Sequence, residues 1–456
     1  MRDKIDEYVN TVCQQMRWKK ARQGVAEEMT AHIEDGRDFY MAQGMNETDA
    51  TAQSITDTGD ATILGANFDR VHRPKPQWGM LAAVAAFLAL GIVLSQLFPA
   101  HPWVYNGGLP RRLLFTGVGV VIMFAAYFAD FSILGKFPKL VWGTVAMLFV
   151  GAIFSIWHRI WHRSALGTSV WLQFPLVSRT SQLALTLLLP LLLAVFIFSL
   201  KGKGVKGLLL STTAYVGLGF GVAHVSLNTG LFHFAAIGMA VLLVAILKNW
   251  FDDNRIISGL LLFLLPVTLL IPLLTNYHTM RRLFILVNPN ADPRGEGFVG
   301  SLTQSMVRGA AFVGQGSATW EDLTIYDPLQ YLPSAASDSL LTSVLLRFGW
   351  LPTISIIAGL LAFIVYGYTR CFKQKSGLGF FVSFAIMSTF ALQTLTYVTF
   401  NLGFTLTQIA LPFISPGNTV MVVNLGLLGF MLSVFRTGSA IAVHENKGVP
   451  ARHCQP

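Results

Sequence analysis

Long apolar runs recur along most of this chain and leave few folds open to it. Ten runs are long enough, at about 1.5 Å per helical residue, to cross a hydrocarbon core of roughly 30 Å. They lie near 78–98, 112–134, 139–157, 181–200, 205–225, 230–248, 255–275, 338–368, 376–400 and 418–436. Because a backbone inside a bilayer must satisfy its own hydrogen bonds, such runs form helices. The sequence therefore predicts an all-α, polytopic membrane protein with about ten transmembrane helices.

The composition supports this fold class and restricts the partners. Of 456 residues, 53% are hydrophobic and 12% are charged, which is about half the charged share of an average soluble domain. The first 77 residues carry 10 Lys and Arg against 13 Asp and Glu, whereas the remainder carries 23 against 10. A basic membrane body suits anionic membrane lipids or an anionic substrate. Nucleic acid would require a soluble basic face, so we expect no nucleic-acid partner.

The chain is expected to have three parts. Residues 1–74 carry apolar positions at helical spacing, with a helix start at Asn46, and predict a small cytoplasmic helical domain. This head resembles the short prefix domain ahead of some bacterial permeases, which implies regulation or partner docking. Residues 78–440 form the predicted transmembrane domain, with a large extracytoplasmic loop at about 276–337. Residues 441–456 are a predicted cytoplasmic tail.

The loop charges predict the orientation of the spans. An even number of spans places both termini on one side of the membrane. With a cytoplasmic head, the inner loops contain GKFPK, KGKGVK, KNWFDDNR and TRCFKQK, and every lysine after residue 78 falls on the inner side, as the positive-inside tendency expects. We therefore expect a multi-pass protein of the cytoplasmic membrane with both termini in the cytoplasm.

Arginines break this pattern, because many of them map to the predicted outer face. They are Arg111, Arg112, Arg159, Arg163, Arg179, Arg281, Arg282, Arg294 and Arg308. Arginine pairs its planar, two-pronged donor with phosphate oxygens, so an outer site for a phosphorylated lipid is one explanation. The alternative is that they pair with loop acids or lie at headgroup level.

Four segments in the last third of the chain together resemble one family. They are RRLFILVNPNADPRGEGF at the start of the large loop, GQGSA at 314–318, LPSAASDSLLTSVLLRFGWLP beginning at Leu332, and LPFISPGN at 411–418. Their order and spacing resemble the SEDS family of shape, elongation, division and sporulation proteins, which includes FtsW, RodA and SpoVE. The third segment resembles that family's L-P-E-x-x-T-D-F and the fourth its L-P-F-I-S-Y-G-G. Four such segments in order are more specific than any single motif.

Asp338 is the candidate catalytic residue. A carboxylate at the mouth of an apolar span costs free energy unless water, a partner or a substrate stabilises it. The resemblance implies that Asp338 matches the family's essential acid. That acid would act as a general base, taking the proton of a sugar hydroxyl that attacks an anomeric carbon. The alternative role is an acid that favours the positive end of a helix dipole.

The resemblance also implies a substrate, partners and further site residues. It implies a peptidoglycan glycosyltransferase that polymerises lipid II, or a related undecaprenyl-pyrophosphate-linked substrate, in division, elongation or sporulation. The expected protein partner is a class B penicillin-binding transpeptidase. Arginines or a divalent cation such as Mg²⁺ would stabilise the pyrophosphate leaving group, although no metal-ligand motif is predicted. The implied substrate-binding residues are Arg281, Arg282, Gly316, Ser337, Ser415 and Gly417.

Several family charges are replaced in this chain, which keeps two other functions open. Ser334, Gln182, Asn228 and Leu185 stand where the family has charged residues. A non-catalytic scaffold that binds lipid-linked precursor or a transpeptidase would tolerate these losses. A lipid flippase or transporter would suit the many spans, although the two halves show no inverted repeat. Arg347 is expected to face the bundle interior beside a polar partner.

Overall fold

The structure is a computed structural model. It describes residues 2–73, 76–98, 108–129, 131, 139, 141–148, 150, 179–225, 228–251, 258–259, 280–281, 284–285, 291–295, 297–320, 323–324, 328–332, 335, 337–404, 409–415 and 419–445. The chain divides into two compact units: residues 1–76, 374–377 and 435–456 form one, and residues 77–373 and 378–434 form the other. The domain boundaries expected from the sequence stay predictions.

The N-terminal residues form four helices around a small apolar core. The helices are α1 Arg2–Gln15, α2 Lys19–Ala42, α3 Glu47–Thr58 and α4 Ala61–His72. Val12, Met16 and Ile33 are fully enclosed in this core. The helix start predicted at Asn46 is confirmed, because its side chain accepts a hydrogen bond of 2.8 Å from the Asp49 amide. Asp60 caps α4, and hydrogen bonds from the Thr62 hydroxyl and then from backbone amides lower the pKa of its carboxyl.

Eleven further helices are defined among the described residues. They are α5 Trp78–Leu97, α6 Gly108–Phe128, α7 Arg179–Thr186, α8 Leu189–Phe198, α9 Gly204–Val225, α10 Asn228–Leu247, α11 Phe298–Arg308, α12 Leu340–Phe348, α13 Trp350–Phe372, α14 Gly377–Asn401 and α15 Thr419–Glu445. Seven of these contain a segment long and apolar enough to cross a membrane, namely α5, α6, α9, α10, α13, α14 and α15. The prediction of a multi-pass all-α membrane protein is confirmed.

Helix α14 is the most enclosed of these spans. Within its most apolar segment, 83% is buried inside the protein, against 28% for α13. Its polar residues therefore meet other parts of the protein rather than lipid. This enclosure matters for the site, because α14 supplies two of the side chains that hold Asp338.

Two predicted spans are interrupted in the structure. The run at 181–200 forms two short helices, α7 and α8, with Pro190 in the first turn of the second. Proline fits that turn because it has no N–H to donate. The run at 338–368 is divided into α12 and α13 at Gly349, whose φ of 91° lies in the region that favours glycine. The predicted spans at 139–157 and 255–275 lie largely outside the described residues.

Part of the predicted outer loop is folded against the membrane helices. It contains α11, two short antiparallel strands, β1 Thr319–Trp320 and β2 Leu323–Thr324, and a 3₁₀ turn at Pro328–Tyr331. One apolar cluster joins this loop to α5 and α12; it includes Leu94, Phe98, Leu302, Met306, Leu332, Ala335, Leu340, Leu341 and Ile414. Burial of this apolar surface fixes the loop close to the start of α12, where Asp338 lies.

Candidate functional site

Asp338 lies in a turn directly before α12. We call residues 337–339 the Asp338 turn. Ser337 and Asp338 are partly exposed, whereas Ser339 is buried. The carboxylate is thus carried by a backbone segment whose neighbours are enclosed in the protein.

Two side chains hold the first carbonyl of the Asp338 turn. The hydroxyl of Tyr397, on α14, donates to the Ser337 carbonyl oxygen at 2.9 Å. The hydroxyl of Ser415 donates to the same oxygen at 3.1 Å and accepts from the Leu411 amide at 3.1 Å. The structure therefore brings Ser337, Asp338 and Ser415 together, from two segments that the sequence singled out separately.

Asn401 holds the second carbonyl and the first turn of α12. Its side-chain nitrogen donates to the Asp338 carbonyl oxygen at 3.0 Å. Its side-chain oxygen accepts from the Thr342 amide at 2.9 Å, and the Thr342 hydroxyl lies 2.9 Å from the same atom. The Asn401 side chain thus satisfies one backbone N–H that a helix N-terminus leaves unpaired, and it fixes the turn to α14.

These supporting residues are almost fully enclosed. Tyr397 is 0% exposed, and Asn401, Thr342 and Ser415 are each 1% exposed. Hydrogen bonds in such a poorly solvated setting position groups strongly. The backbone on both sides of Asp338 is therefore fixed, while its carboxylate remains on a partly exposed residue. Such an arrangement suits a base that must meet a substrate in a constant position.

The sequence reasoning missed Tyr397 and Asn401. They stand four residues apart and so share one face of α14. A signal was present, because polar side chains inside an apolar span usually have a specific partner. The identity of that partner could not be predicted from the sequence, since Tyr397 and Ser337 are 60 residues apart.

Gly316 lies at the opposite end of α12 from Asp338. Its amide donates to the Leu346 carbonyl oxygen at 2.7 Å, and the Gly314 amide donates to that of Phe348 at 3.0 Å. Leu346 lies six positions after Leu340, the first residue of α12, which corresponds to roughly 9 Å of helix. A Cβ atom on Gly316 would lie 2.6 Å from the Gly309 carbonyl oxygen. This position therefore requires glycine for close backbone packing, and contact of Gly316 with substrate stays a prediction.

Of the other predicted binding residues, the structure describes Arg281. Arg281 forms an ion pair of 2.9 Å with Asp292, which is the loop-acid pairing considered as an alternative. Arg282 and Gly417 lie outside the described residues. Substrate binding by these three residues stays a prediction.

Arg112 is buried, whereas the other outer-face arginines with described side chains, Arg111, Arg281, Arg294 and Arg308, are exposed. It is 6% exposed, and its guanidinium donates to the Ser95 carbonyl oxygen, in the last turn of α5, at 2.6 Å. No carboxylate of the described residues pairs with it. The preceding Arg111 is exposed and lies over the ring of Phe115. A buried cation paired only with a carbonyl is suited to an additional anionic ligand.

Two further polar residues are structural. The prediction for Arg347 is wrong, because this residue lies in the last turn of α12 and is exposed. His233 on α10 is buried, with its ring nitrogens 2.8 Å from the Thr229 carbonyl oxygen and 3.1 Å from the Thr396 hydroxyl.

Across the described ranges, no three His, Cys, Asp or Glu side chains form a metal cluster. The divalent cation stays a prediction, and no reaction step depends on it.

Comparison with known proteins gives matches of one kind. The model of the FtsW/RodA/SpoVE family, described as cell cycle protein, matches residues 78–439. Three relatives are each named probable peptidoglycan glycosyltransferase FtsW. The protein of Geobacter metallireducens is 27% identical over 183 residues, covering 40% of this chain and 47% of its own. The Thioalkalivibrio protein is 28% identical over 180 residues, covering 37% and 42%. The Borreliella burgdorferi protein is 26% identical over 203 residues, covering 44% and 53%.

Solved structures show the same fold. A chain from a peptidoglycan synthase complex that coordinates polymerization and crosslinking matches with a TM-score of 0.56 and 19% identity, covering 80% of this chain and 98% of that one. A mutant of the Thermus thermophilus rod shape determining protein RodA, with one aspartate replaced by alanine, matches with a TM-score of 0.51 and 15% identity, covering 80% and 98%. The chain spans about half the length of the three sequence relatives that it matches.

Proposed function

The chain belongs to the FtsW/RodA/SpoVE family of cell cycle proteins, and from this premise we propose that it is a peptidoglycan glycosyltransferase. It polymerises lipid II, or a related undecaprenyl-pyrophosphate-linked substrate, at the outer face of the cytoplasmic membrane. The observation that carries the proposal is Asp338, a partly exposed acid on a backbone held by Tyr397, Asn401 and Ser415. Relatives named probable peptidoglycan glycosyltransferase support the reaction class.

The reaction requires a base at the attacking hydroxyl. The sugar oxygen forms a new glycosidic bond to the anomeric carbon of a second substrate. The bond from that carbon to the lipid pyrophosphate breaks, and the pyrophosphate leaves with the electron pair. Asp338 accepts the hydroxyl proton as the oxygen attacks and later releases it to water. Fixing the backbone on both sides of Asp338 keeps the carboxylate in place for this transfer.

Among the described residues, Arg112 is the best-supported candidate to stabilise the negative charge of the leaving group. Burial keeps water away from its guanidinium, so water competes less with an anionic ligand. The guanidinium donates a hydrogen bond to an uncharged carbonyl. A guanidinium in such a setting stabilises phosphate oxygens as their charge grows. Arg111 lies next to it in sequence but on the exposed face of α6. The two arginines therefore allow the effect of a buried positive charge to be compared with that of an exposed one.

The proposal extends to orientation and partner. Both termini lie in the cytoplasm, which is supported by the lysines of the predicted inner loops. The protein acts beside a class B penicillin-binding transpeptidase. Its structural relative from a complex that coordinates polymerization and crosslinking supports such a partner.

The decisive experiment is polymerisation of fluorescent lipid II by the purified full-length protein, read as glycan length on a gel. We expect Asp338→Ala and Asp338→Asn to reduce the rate at least about 100-fold, the scale of a lost general base. Asp6→Asn is the control, because it removes an exposed acid of the N-terminal helices and leaves Asp338 and the Arg281–Asp292 ion pair intact. Polymerisation by both Asp338 variants at the parent rate would contradict the mechanism, provided that all proteins melt at similar temperatures.

The arginine pair tests the substrate contact in the same assay. Arg112→Gln should reduce the polymerisation rate about tenfold or more, because it removes a charge-assisted phosphate contact. Arg111→Gln should change the rate less than twofold. Equal effects of the two variants would show that a general surface charge, rather than the buried guanidinium, attracts the substrate.

A non-catalytic scaffold is the second candidate, favoured by the replaced charges. Of the four positions, Leu185 has a described side chain, and it is exposed. A scaffold would bind lipid II or a transpeptidase without forming polymer. Binding by the parent with no turnover, in the presence and absence of a transpeptidase, would favour it.

A further inference from the structure

Three lysines lie over aromatic rings where several membrane helices end. The ammonium of Lys201 lies 4.9 Å from the centroid of the Trp250 ring, that of Lys203 lies 5.3 Å from Trp142, and that of Lys248 lies 3.8 Å from Phe380. We call these six residues the lysine–aromatic cluster. It joins the turn after α8, the end of α10 and the first turns of α14. On α14, Phe380 lies 17 residues before Tyr397, which corresponds to roughly 25 Å along the helix.

The backbone holds this cluster in place. The Gly202 amide donates to the Trp250 carbonyl oxygen at 3.0 Å, and the Gly204 amide donates to that of Phe251 at 2.8 Å. The two indole nitrogens are also anchored at the end of α8. Trp250 donates to the Ile197 carbonyl oxygen at 3.2 Å, and Trp142 donates to the Ser199 hydroxyl at 3.1 Å. The rings are therefore fixed before any ligand arrives.

The cluster presents positive charge. All three lysines are exposed, and within the described ranges no carboxylate forms an ion pair with them. Asp252 and Asp253 follow in sequence and lie outside the described residues. The cluster is on the predicted inner side, where anionic lipid headgroups attract lysines and where tryptophans lie at headgroup level.

Apolar side chains continue from the lysines along the same helices. Leu247 is 70% exposed, Val205 is 41% exposed and Leu243 is 39% exposed. In a membrane-spanning helix, such side chains contact acyl chains. A ligand that fits this surface carries phosphate at one end and hydrocarbon at the other. Free phosphate would use only the lysines.

We propose that the lysine–aromatic cluster is a binding site for the headgroup of an anionic phospholipid of the inner leaflet. The ammonium groups of Lys201, Lys203 and Lys248 contact the phosphate, while Trp142 and Trp250 fix their positions. The acyl chains lie along α9 and α10. The site is independent of the proposed polymerisation, so either can fail without the other.

Native mass spectrometry of the full-length protein in neutral detergent tests the site. The protein is titrated with short-chain phosphatidylglycerol and, separately, with phosphatidylcholine of equal chain length. We expect phosphatidylglycerol to bind at least about tenfold more tightly. The double variant Lys201→Gln, Lys203→Gln should bind phosphatidylglycerol about tenfold more weakly, because each lysine near an anionic headgroup adds to the attraction.

The matched control is Lys373→Gln, Lys375→Gln. It removes two exposed lysines at the same spacing from another predicted inner loop, and it should bind phosphatidylglycerol as the parent does. Lys248→Gln is a second site variant, in case the double variant fails to fold. Equal weakening in the site and control variants would overturn the proposal, since it would show non-specific attraction.

Three other results would also overturn it. Equal binding of the two lipids would show that charge is not recognised. Equal binding of phosphatidylglycerol by the parent and by both site variants would show that nearby acids already neutralise the lysines. Complete competition by inorganic phosphate at the lipid's own concentration would show a site for free phosphate.

Discussion

Backbone groups at the two ends of α12 find hydrogen-bond partners of different kinds. Any helix leaves amides unpaired at its start and carbonyls unpaired at its end. At the start, the Asn401 side chain accepts from the Thr342 amide, while the Tyr397 and Ser415 hydroxyls hold the carbonyl of the preceding turn. At the end, the backbone amides of Gly314 and Gly316 do so. The candidate base lies at the end that side chains hold.

This difference has consequences for function and for mutation. The partners at the end of α12 are backbone amides, which must approach the helix closely. That end therefore depends on the absence of a Cβ atom at Gly316. Side-chain partners depend on the identity of residues from α14 and from the loop before α15. Changes to those residues can move the Asp338 turn while the rest of the fold remains. The start of α12 is therefore the end at which a loss of stability should be accompanied by a loss of activity.

The largest expected effect is at Asn401. Asn401→Leu removes the partners of the Asp338 carbonyl and the Thr342 amide, both in an enclosed setting. We expect a loss of about 3 kcal/mol in the free energy of unfolding, measured in graded anionic detergent, and a loss of most polymerisation. Thr399→Val is the control, because its hydroxyl bonds within α14. Equal stability of the two variants would contradict the assigned role.

A smaller effect is expected at the other end of α12. Gly316→Ala places a Cβ atom 2.6 Å from a backbone oxygen, and we expect a loss of about 2 kcal/mol, typical of overpacking. Gly117→Ala, where a Cβ atom has open space, should leave stability unchanged or raise it slightly. If Gly316→Ala is as stable as the parent, the close packing assigned to that turn is wrong.

The smallest effects are expected from the two donors to the Ser337 carbonyl. Tyr397→Phe should cost about 1 kcal/mol, since the other donor remains, and Ser415→Ala about 1.5 kcal/mol, because it also removes the acceptor of the Leu411 amide. The double variant should cost more than the sum and lower polymerisation sharply, because the carbonyl then has neither donor. Unfolding and activity are measured for the parent, the two single variants and the double variant. The comparison gives the coupling energy between the two hydroxyls. Strict additivity would show that the two hydroxyls do not share this acceptor.

Much of the fold could be predicted from the sequence, because span length and hydropathy are local properties. The apolar runs that became α5, α6, α9, α10, α14 and α15 were each recognisable alone. Errors arose where continuity depended on single residues. The break at Gly349 divides a run that was expected as one span, and Arg347 was expected to face the interior but is exposed. Helix periodicity gives the face of a residue, but not what packs against that face.

The sequence by itself determined the membrane fold class, the membership of the FtsW/RodA/SpoVE family and the choice of Asp338 as candidate base. Only the tertiary structure decided what holds that residue. Ser415 lies 78 residues after Ser337, and Asn401 lies 63 after Asp338. Such contacts exist only once the helices pack, because hydrogen bonds between distant segments depend on the burial and geometry of both. The same is true of the separation of Gly316 from Asp338, which the spacing of motifs could not indicate.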